Sequence, residues 1–227
     1  MDSLSPEHLC AGINDRQRSL PFAYTEGGSE HLLAIAGRRP IRFPRSAGDA
    51  VHGGSASWVE KKHNDGAIHE PGLIAALMVL AEERQSIRTI LDIGALYGYV
   101  SLVARSLFET AEVHAFEANP RSFQVLVRNF EANRPTFGDS VHAYHCALSD
   151  VSEPHAALRI HRMRVDALNS GKEVGEKGRD HQIDVWSLDD FCREHMLVPD
   201  LIKIDVARDT RRRSSLAAST SSCAPGR

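Results

Sequence analysis

Apolar positions change their spacing several times between residues 88 and 206. Short continuous apolar runs predict buried strands, and apolar side chains three or four residues apart predict one face of a helix. The predicted order is strand 88–93, helix 98–109, strand 112–117, a helix that Asn119-Pro120 opens and Asn133-Arg-Pro135 stops, and strand 141–148. Strands that alternate with helices predict an α/β domain built on a parallel sheet.

The segment before this alternation is less regular. Residues 1–29 show no sustained period, so an irregular lead-in is predicted there. Apolar runs at 31–36 and 41–43 flank Gly37-Arg-Arg-Pro40 and predict a hairpin. Small polar residues at 45–57 predict a loop, and Pro71 opens a helix that runs to about Arg84.

Beyond residue 148 the helical period disappears. Residues 157–165 and 181–186 alternate like strands on either side of a polar loop at 170–178. Ser187 is the predicted cap of a short helix, with Asp190 placed to return a hydrogen bond. A strongly apolar strand then covers 201–206.

The turn after the first strand carries candidate chemistry. It reads Asp92-Ile-Gly94-Ala95-Leu96-Tyr-Gly98, and its glycines allow the backbone to pass close to a ligand. Glu117 ends the next strand, 25 positions beyond Asp92, where a carboxylate can accept both ribose hydroxyls of an adenosine. This pattern predicts a nucleotide-type cofactor site at residues 92–98, and a tight strand–helix turn without a ligand is the alternative.

Two cofactor classes share this geometry. A dinucleotide site needs a middle glycine for the pyrophosphate, and Leu96 stands at that position. An acidic residue two positions before the first glycine suits a cationic amino-acid ligand better than a pyrophosphate. S-adenosylmethionine therefore fits the turn better than a nicotinamide dinucleotide.

Composition narrows the function classes. The formal net charge of -3 gives no indication of bulk nucleic-acid binding. Four scattered cysteines without a C-x-x-C indicate reduced thiols of a cytoplasmic protein. No apolar stretch is long enough for a bilayer, and no signal peptide is predicted. Because His63, His69, His142 and His145 lack ligand spacing, no metal site is predicted.

Five segments together resemble FkbM-type methyltransferases in order and spacing. They are Leu91–Tyr99, Ala115–Pro120, Ala147–Asp150, Ser187–Phe191 and Pro199–Val206. The resemblance spans about residues 66–206 and departs from the family at Leu96, usually Asn, and at Ala118, usually Pro. It implies a Rossmann-like class I methyltransferase fold, S-adenosylmethionine as methyl donor and a small-molecule or sugar hydroxyl as acceptor.

The same resemblance implies roles for individual residues. Asp92, Gly94, Ala95 and Gly98 would face the methionine end of the cofactor, and Glu117 would face its ribose. Cys146 and Ala147 would border the adenine, through backbone and packing.

Three charged residues are further candidates. Asp205 would lie near the sulfonium methyl and is the candidate base, with Lys203 as a possible electrostatic partner; a structural cap is the alternative. Glu70 either reaches the amino group of the cofactor or only faces the dipole of the helix that follows it.

The family pattern breaks off after Val206, where a Val-Glu-Gly continuation is expected. The domain prediction is therefore a lead-in at 1–65, a partial methyltransferase domain at 66–206, truncated after the fourth core strand, and a disordered tail at 207–227. A coding sequence GCG-AGG-GAC for Ala207-Arg-Asp209 contains Glu-Gly in another frame, so a frameshift is one hypothesis. A truncated chain would expose its fourth strand, aggregate, and at most bind the cofactor as a non-catalytic remnant.

Overall fold

A computed structural model describes residues 5–45, 68–161, 164–167 and 179–206. The predicted loops at 46–57 and 170–178, the division at residue 65 and the tail at 207–227 lie outside these ranges. The helices are α1 Pro6–Arg18, α2 Pro71–Glu83, α3 Tyr99–Leu107, α4 Pro120–Phe137 and α5 Leu188–Glu194. The strands are β1 Phe22–Glu26, β2 Glu30–Ile35, β3 Ile41–Pro44, β4 Thr89–Ile93, β5 Glu112–Phe116, β6 Val141–Tyr144, β7 Ala147–Ser149, β8 Glu153–His161, β9 Arg164–Ala167, β10 Arg179–Ser187 and β11 Leu201–Ile204.

A parallel sheet with the order β11-β4-β5-β6 forms the centre of the described chain. Strand β4 is buried along nearly its whole length because it has a neighbour on each side. The predicted α/β fold with strands in the Rossmann-like order is confirmed. Since the carboxyl ends of parallel strands meet at one edge, the turn after β4, Glu117 and Asp205 come to the same edge.

The hairpin near the N-terminus shares the core of the parallel sheet. Strands β1, β2 and β3 form an antiparallel sheet, as the hairpin prediction required for β2 and β3. Its inner side chains belong to the same buried cluster as those of α2, α3 and α4; they are Leu33, Ile35, Ile41 and Phe43. The Asn133 side chain also bridges α4 to β3, accepting from the Arg42 amide (2.9 Å) and donating to the Arg42 carbonyl (2.8 Å).

A second sheet, of order β7-β10-β8-β9, follows β6 and pairs strands mostly antiparallel. Strand β10 contains the predicted strand 181–186, whereas the predicted strand 157–165 is divided between β8 and β9, which pair antiparallel. Ser187 caps α5 by accepting from the Asp190 amide (3.1 Å), as predicted. The predicted return bond from Asp190 to Ser187 is indirect. The Ser152 hydroxyl accepts from the Ser187 amide (2.9 Å) and donates to the Asp190 carboxylate (2.5 Å).

Three further predictions about elements are wrong. The lead-in contains helix α1, which Ser5 caps and the Arg16–Glu82 ion pair (2.7 Å) joins to α2, and strand β1 follows it. Helix α4 does not stop at Asn133 but runs through Pro135 to Phe137, because a proline in the last turn breaks few helical bonds. Predicted strand 141–148 divides into β6 and β7, which belong to different sheets.

Strand β11 is the outer strand of the parallel sheet within the described residues. Two of its apolar side chains are exposed, Ile202 by 38% and Ile204 by 64%. Among the described helices, none is long and apolar enough to cross a membrane.

Candidate functional site

The turn between β4 and α3 contains three residues in the left-handed region. Gly94, Leu96 and Gly98 have φ of 75°, 52° and 77°. A Cβ on Gly94 would lie 2.1 Å from the carbonyl oxygen of Asp205, and a Cβ on Gly98 would lie 2.6 Å from Phe130 Cε1. The two glycines are therefore needed for two reasons. The turn requires their positive φ, and a Cβ would meet the Asp205 backbone at Gly94 and the Phe130 side chain at Gly98.

Glu117 holds this turn in place from the end of β5. Its carboxylate accepts hydrogen bonds from the amides of Leu96 (2.8 Å) and Asn119 (2.7 Å). The side chain is buried, and burial raises the pKa of Glu117, while the two backbone hydrogen bonds oppose that rise. Each carboxylate oxygen retains a lone pair for a further donor, such as a ribose hydroxyl.

Asp92 and Lys203 form an ion pair beneath the turn. Their charged atoms, Oδ1 and Nζ, lie 2.8 Å apart, and Asp92 is almost completely buried. Lys203 donates its hydrogen bond to the Gly94 carbonyl (3.0 Å). Asp92 Oδ1 accepts no hydrogen bond from the described residues, so its contact with Lys203 is electrostatic. Asp92 Oδ2 accepts from the Ser101 hydroxyl (2.6 Å). Asp92 is thus held by two partners, the charge of Lys203 and the hydroxyl of Ser101.

A cavity opens beside this turn at the carboxyl edge of the sheet. Its wall consists of His69, Glu70, Gly94, Ala95, Leu96, Tyr97, Tyr99, Val100, Lys203 and Asp205. Four of the predicted site residues, Glu70, Gly94, Ala95 and Asp205, are brought together here.

Glu70 has an unusual backbone for its residue type. It precedes α2 with φ of 50°, in the left-handed region, and its side chain makes no capping hydrogen bond. Glu70 is instead one of the residues that line the cavity, and its Oε1 lies 3.6 Å from His69 Nε2. Burial, and then the negative charge of Glu70, raise the pKa of Tyr99. Such a non-glycine conformation costs energy and is frequent at functional sites.

The cavity wall carries more negative than positive charge. Glu70 and Asp205 contribute carboxylates, and the charge of Lys203 is neutralised by Asp92. The pairing corrects one expectation, because Lys203 interacts with Asp92 rather than with Asp205. Register explains it: β11 lies next to β4 with Lys203 directly opposite Asp92.

The remaining predicted residues lie outside the cavity wall. Asp92, Gly98 and Glu117 support the turn from behind, as described above. Cys146 is buried, and burial raises the pKa of its thiol to about 12, so it is a packing residue and not a nucleophile. Ala147 begins β7 and packs near Ile183.

Sequence reasoning did not select His69 and Tyr99 for the cavity wall. Their rings meet edge to face with centroids 5.5 Å apart. Tyr99 follows the second glycine directly and His69 precedes Glu70, so proximity to predicted site residues was the only available signal.

Comparison with known proteins places this site in a family. A model of the methyltransferase FkbM domain matches residues 92–206, about half of the chain. No curated protein matches the sequence.

Several solved structures resemble the described fold at low similarity. An FkbM methyltransferase from Methylobacillus flagellatus is 13% identical with a TM-score of 0.35, and the match covers 60% of this chain and 37% of that one. A SAM-dependent methyltransferase from Agrobacterium tumefaciens is 15% identical with a TM-score of 0.33, and the match covers 54% and 34%.

The chain thus spans less than half the length of these two proteins, and the family-model match carries the assignment. That match begins at Asp92, the first residue of the turn described above, and ends at Val206, next to Asp205. The chain belongs to the FkbM methyltransferase family.

Proposed function

We propose that the chain transfers a methyl group from S-adenosylmethionine to a hydroxyl of a small molecule or sugar. The observation that carries the proposal is the acidic cavity beside the Gly94 turn, with Glu70 and Asp205 in its wall. S-adenosylmethionine carries a sulfonium and an ammonium, and an acidic concave surface attracts cations. The two carboxylates therefore fit this cationic cofactor better than they fit a pyrophosphate.

The chain's residues divide the cofactor between them in this proposal. Glu70 holds the ammonium, and Gly94 and Ala95 line the path of the methionine chain. Glu117 accepts the ribose hydroxyls with its remaining lone pairs, while Cys146 and Ala147 border the adenine. Asp92 and Gly98 act indirectly, because they fix the turn.

The chemistry asks for positioning and for one proton acceptor. When bound, S-adenosylmethionine supplies an electrophilic methyl group on a sulfonium. The protein contributes by holding the acceptor oxygen in line at near-attack distance. Asp205 is exposed, directly follows β11 and is one of the residues that line the cavity. In this proposal its carboxylate takes the proton of the hydroxyl as the new bond forms.

Calorimetry with S-adenosylmethionine and S-adenosylhomocysteine tests the cofactor site. The wild-type chain is expected to bind both, and Glu117→Ala is expected to weaken binding at least about tenfold because it removes the ribose acceptor and releases the Leu96 amide. Glu131→Gln, an exposed acid on α4, is the matched control and should bind as the wild type does. A cofactor affinity of Glu117→Ala equal to that of the wild type would show that Glu117 does not bind the cofactor.

A second candidate is a cofactor-binding chain without turnover. The exposed apolar side chains of β11 favour it, since within the described residues no element covers this outer strand beside the cavity. A radiolabelled methyl-transfer screen over alcohol acceptors separates the two: label transferred by the wild type and lost in Asp205→Asn supports the enzyme. Cofactor binding without transfer to any acceptor supports the second candidate, and tight NADH binding contradicts both.

A further inference from the structure

Three metal-ligand side chains meet on the opposite edge of the parallel sheet from the cavity. Glu112 is the first residue of β5, His114 lies two residues further, and His142 is directly opposite His114 on β6. Residues two apart on a strand share a face, so all three side chains project from the same side. Glu112 is five residues from Glu117, a distance of about 16 Å along the strand. The cluster is therefore separate from the cofactor site.

The ligand atoms of this cluster converge. Nε2 of His114 and Nε2 of His142 lie 3.9 Å and 3.8 Å from Glu112 Oε2, and all three ligand atoms are within 4.8 Å of one another. The imidazole rings are stacked, with centroids 4.7 Å apart. These separations are too long for hydrogen bonds and leave space for an ion between the groups.

Both Nε2 atoms are buried polar atoms that make no hydrogen bond in the described part of the chain. Neither Nε2 has a hydrogen-bond partner among the described residues, and the side chain of His114 is only 5% exposed. Buried polar atoms in folded proteins are nearly always satisfied, and those that are not call for an explanation such as an ion. An unsatisfied nitrogen on each of two adjacent strands, aimed at one carboxylate, is such a case.

The other side of His114 has the arrangement expected of a metal ligand. Its Nδ1 lies 3.0 Å from the hydroxyl of Tyr144. In the tautomer that donates Nδ1–H to Tyr144, Nε2 presents its lone pair to the cluster, and metal-binding histidines are commonly oriented by such a second hydrogen bond.

We propose that Glu112, His114 and His142 bind a divalent transition-metal ion, with zinc as the preferred metal. Two imidazoles and a carboxylate are typical zinc ligands, at about 2.0–2.2 Å from the metal. The exposed Glu112 side chain and the half-buried His142 side chain rotate inward by small amounts to reach it. A fourth position remains for water, and the ion ties β5 to β6 at the amino edge of the sheet.

Metal binding to chelator-treated protein without a histidine tag tests the proposal. Calorimetry should show one Zn²⁺ per chain, Co²⁺ should give a visible absorption band of a bound ion, and the melting temperature should rise with Zn²⁺. His142→Ala and Glu112→Gln should each weaken Zn²⁺ binding more than about tenfold, and Tyr144→Phe by about ten- to a hundredfold through the second hydrogen bond.

His155→Asn serves as the control. His155 is an exposed histidine with φ of 53°, a conformation that Asn tolerates, and its removal should leave Zn²⁺ binding unchanged. Because Glu112 is exposed, Glu112→Gln tests the site even where a histidine variant does not fold. Unchanged Zn²⁺ affinity in Glu112→Gln and His142→Ala, or a wild-type chain that binds no stoichiometric Zn²⁺, overturns the proposal.

Discussion

Gly94 shows how a single residue of the turn is determined by a contact far away in sequence. The sequence predicts a glycine turn for a ligand, and the structure adds that the backbone of Asp205 occupies the space a Cβ would need. Local pattern is sufficient to recognise the turn at Gly94 and the acid at Glu117. It is not sufficient to pair Lys203 with Asp92, because that contact depends on which strand lies beside β4.

Gly94→Ala is expected to destabilise the chain by more than about 2 kcal/mol, since it adds a steric clash to an unfavourable φ. Gly37→Ala is the matched control, because Gly37 has a similar φ of 70° and no atom within 4 Å of the added Cβ. That control should cost only about 1–2 kcal/mol. Chemical denaturation of both variants measures the difference, and equal losses would show that the Asp205 contact is unimportant.

At the scale of elements, the strands and helices from β4 to β6 follow the apolar pattern closely, since each buries one regular face. The predictions that are wrong depend on contacts between residues far apart in sequence. Helix α1 has a weak apolar face and depends on its Ser5 cap and on Arg16–Glu82, which joins it to a helix more than fifty residues away. Residues 141–148 are predicted as one strand, but only pairing partners decide that β6 and β7 belong to different sheets.

The histidine cluster was missed for the same reason. His114 and His142 are 28 residues apart, a spacing that matches no ligand motif. They become neighbours only through the register of β5 and β6.

The outer strand β11 is expected to promote self-association, because Ile202 and Ile204 present apolar surface beside an unpaired strand edge in the described chain. Ile204→Lys should shift sedimentation velocity profiles toward monomer at concentrations where the wild type associates. Arg193→Lys, on the exposed surface of α5, keeps its charge and should associate like the wild type. Equal association of Ile204→Lys and the wild type would exclude β11 as the contact.

For the whole molecule, the sequence predicts a hairpin in the lead-in at 1–65 but not the elements against which it packs. Strands β2 and β3 bury their apolar face in the core shared with α2, α3 and α4. Asn133 secures this arrangement, and Asn129, one turn earlier on α4, donates to the carbonyl of Tyr97 (2.7 Å) in the site turn. Helix α4 therefore connects the hairpin to the cavity.

Asn133→Ala should lower the free energy of unfolding by about 1–3 kcal/mol, because the amide and carbonyl of Arg42 lose their partner in a partly buried place. Glu131→Ala, on the exposed side of the same helix, should have little effect. Urea denaturation followed by circular dichroism measures both variants. A free energy of unfolding of Asn133→Ala equal to that of the control would contradict the bridging role.

The contact between Gly94 and Asp205 also sets an order of assembly during synthesis. Residues 89–144 supply β4, β5 and β6 before β11 leaves the ribosome. The Gly94 turn, however, packs against the backbone of Asp205, and the carbonyl of Gly94 accepts a hydrogen bond from Lys203. The nascent chain can form three strands of the sheet while the turn still lacks its neighbour and Asp92 lacks its counter-ion. Completion of the cavity therefore requires β11 and follows its synthesis.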